Sequence, residues 1–221
     1  MSGPPAGGLP APVGMRLRRL GLPAAILGAV VDTGDLRLDL TRALDTLPQA
    51  PPRPTAKGTV MAVVGAMAGG RSVAHEVAAS LGLDDERVIV LTARPRSKTA
   101  ALELSDAEEI REHRRSWRWR DEPVLVIVDC AGSPSAGWAH AMLGCVEPTV
   151  TWGLVEATRK IEDLRAWSAD IGGLDALAVV DLDATLSPAA VLGLDIPVAT
   201  LDGRDATAEG WASLLVARME G

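Results

Sequence analysis

Beyond residue 58 the chain alternates short, uninterrupted apolar runs with longer amphipathic stretches. The apolar runs are Val60–Val64, Val88–Leu91, Val124–Val128, Thr149–Leu154, Ala176–Val180 and Ile196–Leu201. A run that is apolar at nearly every position is buried on both faces, as a parallel strand between two layers of helices must be. Helical candidates fall between and after them: Ser72–Leu81, Ser105–Arg115, Trp138–Leu143, Ile161–Ala169, Pro188–Leu192 and Thr207–Met219. The pattern predicts a three-layer α/β domain around a mostly parallel sheet of about six strands. Ligands of such folds lie beyond the carboxyl ends of the strands, so chemistry is expected in the strand-to-helix loops.

The residues before this domain read differently. Residues 1–14 are rich in Gly and Pro and are expected to form a disordered leader. Residues 15–47 suggest two or three short helices with turns at Pro23 and Thr33-Gly34, and the Pro-rich run 48–57 reads as a stiff linker to a domain over 58–221. Arg16, Arg18 and Arg19 precede an apolar run, Leu20–Val31, in the manner of a signal peptide. That run is too short to span a bilayer, is broken by Pro23 and Gly28, and has no small-residue cleavage site before Asp32, so a soluble helical segment is the preferred reading. Two cysteines, Cys130 and Cys145, do not make a disulfide framework, and a cytoplasmic location is expected.

Composition narrows the field. Hydrophobic residues make up 48% of the 221, enough for a buried core, and the net charge of −7 excludes a general affinity for nucleic-acid phosphates. The cluster His113–Arg120 interleaves cations with Trp, as single-strand nucleic-acid platforms do. On an acidic chain it reads more simply as a helix C-terminus with Arg packed on Trp, and a partner-docking patch is the intermediate reading. His75, His113 and His140 lie on separate elements without metal-ligand spacing.

Four loops carry the chemistry. Gly65 to Ser72, between a strand and a helix, fits the phosphate-loop pattern G-x-x-x-x-G-K-[ST] with Arg71 in place of Lys. Gly65, Gly69 and Gly70 would let backbone amides face phosphate oxygens, and Ser72 would offer a hydroxyl to Mg²⁺. Asp129 ends the third apolar run and is followed by Gly132, a spacing suited to water-mediated Mg²⁺ binding and a γ-phosphate contact. The fifth run ends at Asp181 and Asp183, and the sixth leads to Gly203.

The order of these segments, together with Ala157–Leu164, resembles the signal-recognition-particle GTPases, most of all their flagellar FlhF branch. The matching segments are Gly65–Val73, Asp129–Gly132, Ala157–Leu164, Val180–Asp183, and Gly193–Ile196 with Gly203. The resemblance implies a P-loop NTPase fold, GTP or GDP with Mg²⁺ as ligand, and Arg71 and Asp129 in catalysis. It implies phosphate or base contacts from Gly65, Gly69, Gly70, Arg71, Ser72, Val73, Gly132, Asp183 and Gly203, and Ser72 and Asp129 near the metal. It also implies a protein partner, such as a second GTPase domain, in targeting or flagellar assembly, and leaves room for peripheral membrane association. Four departures argue against efficient hydrolysis: Arg71 for Lys, Leu91 for an Asp, Asp181 for a base-stacking Lys, and a single helix between Leu91 and Val124 in place of an inserted β-α-β-α element. The chain is therefore expected to be a degenerate member acting through protein contacts, the alternatives being a slow GTPase completed by a partner and a nucleotide-free module.

Overall fold

The computed structural model describes residues 8–66, 75–79, 81–83, 88–93, 102–131 and 136–220. Three short helices, α1 (Ala11–Arg19), α2 (Ala24–Ala29) and α3 (Leu36–Leu44), precede the sheet. Then come β1 (Val60–Gly65), a helical turn at 75–79, β2 (Ile89–Thr92), β3 (Leu102–Leu104), α4 (Ala107–Trp117), β4 (Val124–Asp129) and α5 (Ala136–Val146). The chain continues through β5 (Val150–Glu156), α6 (Ile161–Ile171), β6 (Ala176–Val180), β7 (Val198–Leu201), β8 (Arg204–Asp205) and α7 (Ala208–Glu220). Two stretches of 3-10 helix, Leu182–Ala184 and Pro188–Leu194, fill the connection from β6 to β7.

Among the described residues eight strands lie in the order β3-β2-β4-β1-β5-β6-β7-β8, parallel except for the β7–β8 hairpin. The sheet thus has two strands more than expected. β3 stands in the segment expected to hold one helix, which is corrected to a strand and a helix. Its three residues include the exposed Leu102, too short and too mixed a run to register as a buried strand. β8 is a two-residue hairpin return and carries no apolar signal at all.

Alternating side chains divide the core between the faces. On one face Met61, Val63, Leu125, Ile127, Trp152 and Ala178 pack against Val77 and Ala78 of the 75–79 turn. On the other, Ala62, Val126 and Leu91 meet Ile110 and Trp117 of α4 and Leu143 of α5. Further along that face Val155, Leu177 and Val179 meet Leu17 of α1, Leu40 of α3 and Trp211 and Leu215 of α7. At about 25 cal/mol per Å² of apolar area, side chains of this size contribute roughly 2 kcal/mol each, so the short N-terminal helices are held by burial and not by intrinsic helicity.

α1 begins at Ala11, inside the stretch expected to be disordered, and Gly8 forms a bridge with Val31. The prolines that read as breakers sit at its cap, Pro10, and in its first turn, where the missing amide would have had no helical partner. The Pro-rich segment lies against the sheet: the Arg53 guanidinium stacks 5.3 Å from the Trp152 ring centroid and bonds Asp205 at 3.0 Å.

The loop between α2 and α3 is tied by Asp39, 2% exposed, whose carboxylate accepts from the Thr33 hydroxyl at 2.6 Å and the Thr33 amide at 2.8 Å. These bonds, the hydroxyl's foremost, hold its carboxyl below the usual range against the opposing effect of burial, with Arg42 assisting. A depressed pKa stabilises the fold above the unfolded carboxylate value and loses that contribution as pH falls through the folded value. Asp39→Asn should therefore lower the urea midpoint at pH 7, and the gap to wild type should narrow below about pH 4.

Candidate functional site

The carboxyl ends of the parallel strands gather the sequence-predicted residues that the structure describes. Gly65 ends β1 with Asp129 of β4 beside it in register, and Thr92 of β2 stands beside Asp129 on its other side. Glycine is required at 65 because a Cβ there would lie 2.5 Å from the Leu154 carbonyl of β5. Asp129 is 9% exposed and accepts the Ala131 amide at 2.8 Å, turning the chain sharply off the strand. The Cys130 amide donates to the Gly65 carbonyl at 2.9 Å, carrying the β4–β1 pairing one residue further.

A cavity of about 350 Å³ opens beyond these strand ends, lined by Gly65, Ala66, Cys130, Glu156, Arg159 and Val180 among others. The Arg159 guanidinium stands over Trp167 of α6 at 5.8 Å, so a cation is held by a ring at the cavity's rim. Burial and the neighbouring Asp129 charge push the Cys130 thiol up to about 11, outweighing the Gly65 backbone bond that lowers it. This thiol is protonated at neutral pH and is a space-filling group, not a nucleophile.

The loop expected to read a base follows β6. Asp181 adopts φ 60°, ψ 36°, a left-handed conformation that Asp tolerates better than most residues. Asp183 follows in the 3-10 turn with its side chain 97% exposed, and it pairs with Arg218 of α7 at 2.7 Å. The same guanidinium also donates to the Leu182 carbonyl at 2.9 Å, pinning the loop to the C-terminal helix. Gly203, with φ 82°, and Asp202, with φ 44°, make the tight turn from β7 to β8. The Glu76 carboxylate of the 75–79 helical turn fills the space a Cβ at Gly203 would take.

Gly65, Asp129, Asp183 and Gly203 thus share one edge of the sheet, while Gly69, Gly70, Arg71, Ser72, Val73 and Gly132 lie outside the described residues. Four other residues of this edge were missed by sequence reasoning as site residues. Glu156 immediately precedes, and Arg159 lies within, the segment Ala157–Leu164 already matched to the family, so their position was available. Trp167 reads only as core, and Arg218 lies in a distant helix with no local cue.

No protein-family model and no curated protein matches the chain. Among solved structures, FlhF complexed with GMPPNP and Mg²⁺ aligns with TM-score 0.62 at 13% identity, covering 93% of this chain and 99% of that one. FtsY of Thermotoga maritima gives 0.63 at 17% identity, over 96% and 90% of the two chains. The 54 kDa signal recognition particle protein of Aeropyrum pernix K1, in complex with GDP, gives 0.60 at 15%, over 94% and 65%. The chain has the fold of the signal-recognition-particle GTPases. In it Asp129 is the carboxylate that ends β4, in register with Gly65 of β1. Among the described residues no group of three or more His, Cys, Asp or Glu could hold a metal ion.

Two expectations follow from the geometry. Gly65→Ala should cost about 1–3 kcal/mol in urea denaturation, because the clash is with backbone and has no flexible side chain to yield. Iodoacetamide at pH 8 should alkylate Cys130 far more slowly in the native protein than in urea, read by mass spectrometry of the Cys130 peptide.

Proposed function

We propose that this chain is a GTPase-fold protein that acts chiefly through protein contacts, with GTP hydrolysis weak or lost. The observation that carries the reading is the condition of the base loop. Its expected base-reading carboxylate, Asp183, is paired with Arg218, and Asp181 stands where the family places a stacking cation. Leu91 in place of a carboxylate and Arg71 in place of Lys support the same reading, since phosphoryl transfer depends on metal and compact cations neutralising developing charge. The likeness to FlhF over nearly the whole of both chains supports a setting in flagellar assembly or protein targeting, with a second GTPase domain as the class of partner.

A second reading, a slow GTPase completed by its partner, draws on the buried Asp129 beside Gly65. There Mg²⁺ would neutralise phosphate charge, held by Asp129 through water and by the Ser72 hydroxyl, while Arg71 would face the phosphates. Asp183, once released from Arg218, would accept from the guanine edge.

Isothermal titration with GDP and GTP, with and without Mg²⁺, separates the two. The first reading predicts no heat or a dissociation constant above roughly 1 mM, about 4 kcal/mol of binding. The second predicts tighter, Mg²⁺-dependent binding, strengthened in Arg218→Ala and switched toward xanthosine nucleotides in Asp183→Asn.

A further inference from the structure

The cationic tip at the end of α4 belongs to neither the carboxyl-edge site nor the core. α4 leaves β3 at the carboxyl edge and returns the chain to the start of β4, so its C-terminus lies at the amino edge of the sheet, opposite Gly65 and Asp129. Two tryptophans there are treated in opposite ways. Trp117 is 1% exposed and anchors the helix in the core, whereas Trp119 is 83% exposed.

Trp119 is presented by a built turn. Its amide donates to the Ser116 carbonyl at 3.2 Å, and the Arg120 amide donates to the Trp117 carbonyl at 3.0 Å. Gly58, with φ 68°, lies so close that a Cβ on it would stand 2.8 Å from the Arg118 carbonyl. Lys57 next to it pairs with Asp121 at 2.5 Å, removing one of the nearby negative charges. Arg111, Arg115, Arg118 and Arg120 make no ion pair among the described residues, whereas Arg114 is bound to Glu147. The other carboxylates of this end are Glu112 and Glu122.

We propose that this tip docks on an anionic lipid surface, with the Trp119 indole at headgroup level and Arg115, Arg118 and Arg120 against lipid phosphates. The rest of a chain of net charge −7 then stays mostly beyond a Debye length of about 8 Å, where its repulsion is screened. A nucleic-acid strand would need further aromatic faces for successive bases, and among the described residues Trp119 is the one aromatic in the exposed large hydrophobics. An acidic peptide would need a groove, whereas Trp119 projects from a turn. Among the described residues no helix is long and apolar enough to cross a membrane, so a contact of this kind is peripheral and rests on cations and an amphipathic ring.

The test is cosedimentation of the full chain with vesicles of phosphatidylcholine alone and of phosphatidylcholine with phosphatidylglycerol in equal parts. Binding is expected to the anionic vesicles only, and it should be lost at roughly 0.5 M salt. The pair Arg118→Ser and Arg120→Ser should weaken it by about fivefold per arginine. Trp119→Ala should abolish the blue shift of tryptophan emission on vesicles while leaving the circular dichroism of this solvent-exposed variant unchanged. Equal binding to neutral vesicles, unaltered binding by both sets of variants, or retention on poly-U or poly-glutamate with none on anionic vesicles would overturn the proposal.

Discussion

Everything at the carboxyl edge depends on the close approach of β1 to β5 at Gly65. The Leu154 carbonyl of β5 leaves no room for a side chain there, so the strand must end in glycine. On the other side of β1, the Gly65–Asp129 register sets a carboxylate next to that glycine. Because β1, β4 and β6 are buried on both faces along their lengths, polar groups are excluded from the sheet itself and collect at its ends. The position of the site is thus a consequence of strand burial, independent of whether the site still works.

The N-terminal helices and the C-terminal helix share one layer over β5 to β7, with Leu17, Leu40, Trp211 and Leu215 in one cluster. The same helix α7 sends Arg218 to Asp183 and Leu182. Packing that stabilises the fold therefore also fixes the loop expected to read a base. Arg53 makes a comparable link at the opposite edge, joining the Pro-rich segment to Trp152 and to Asp205 of β8. Isolated exposed ion pairs add little stability, so these contacts matter as restraints on loops more than as sources of free energy.

Much of this was legible in the residues. Strands buried on both faces declared themselves as continuous apolar runs, and the order of loops carried the fold. What escaped had weak or misleading local signals. β3 is three residues long with an exposed Leu102, β8 is two exposed residues, and Pro10 and Pro12 resembled breakers while starting a helix. At the site, Gly65 and Asp129 were readable because strand ends and loop spacing are local properties. The Asp183–Arg218 pair was not, since the partners are far apart in the chain and only the packing of α7 brings them together.

The central claim is that the GTPase architecture persists while phosphoryl transfer has decayed. Phosphate release from Mg²⁺-GTP at saturating protein, followed over hours for the wild-type chain and for Asp129→Asn, tests it most directly. The account predicts at most a trace of phosphate above the buffer blank from the wild type, little altered in Asp129→Asn. Sustained multiple turnover by the wild type that Asp129→Asn abolishes would contradict it.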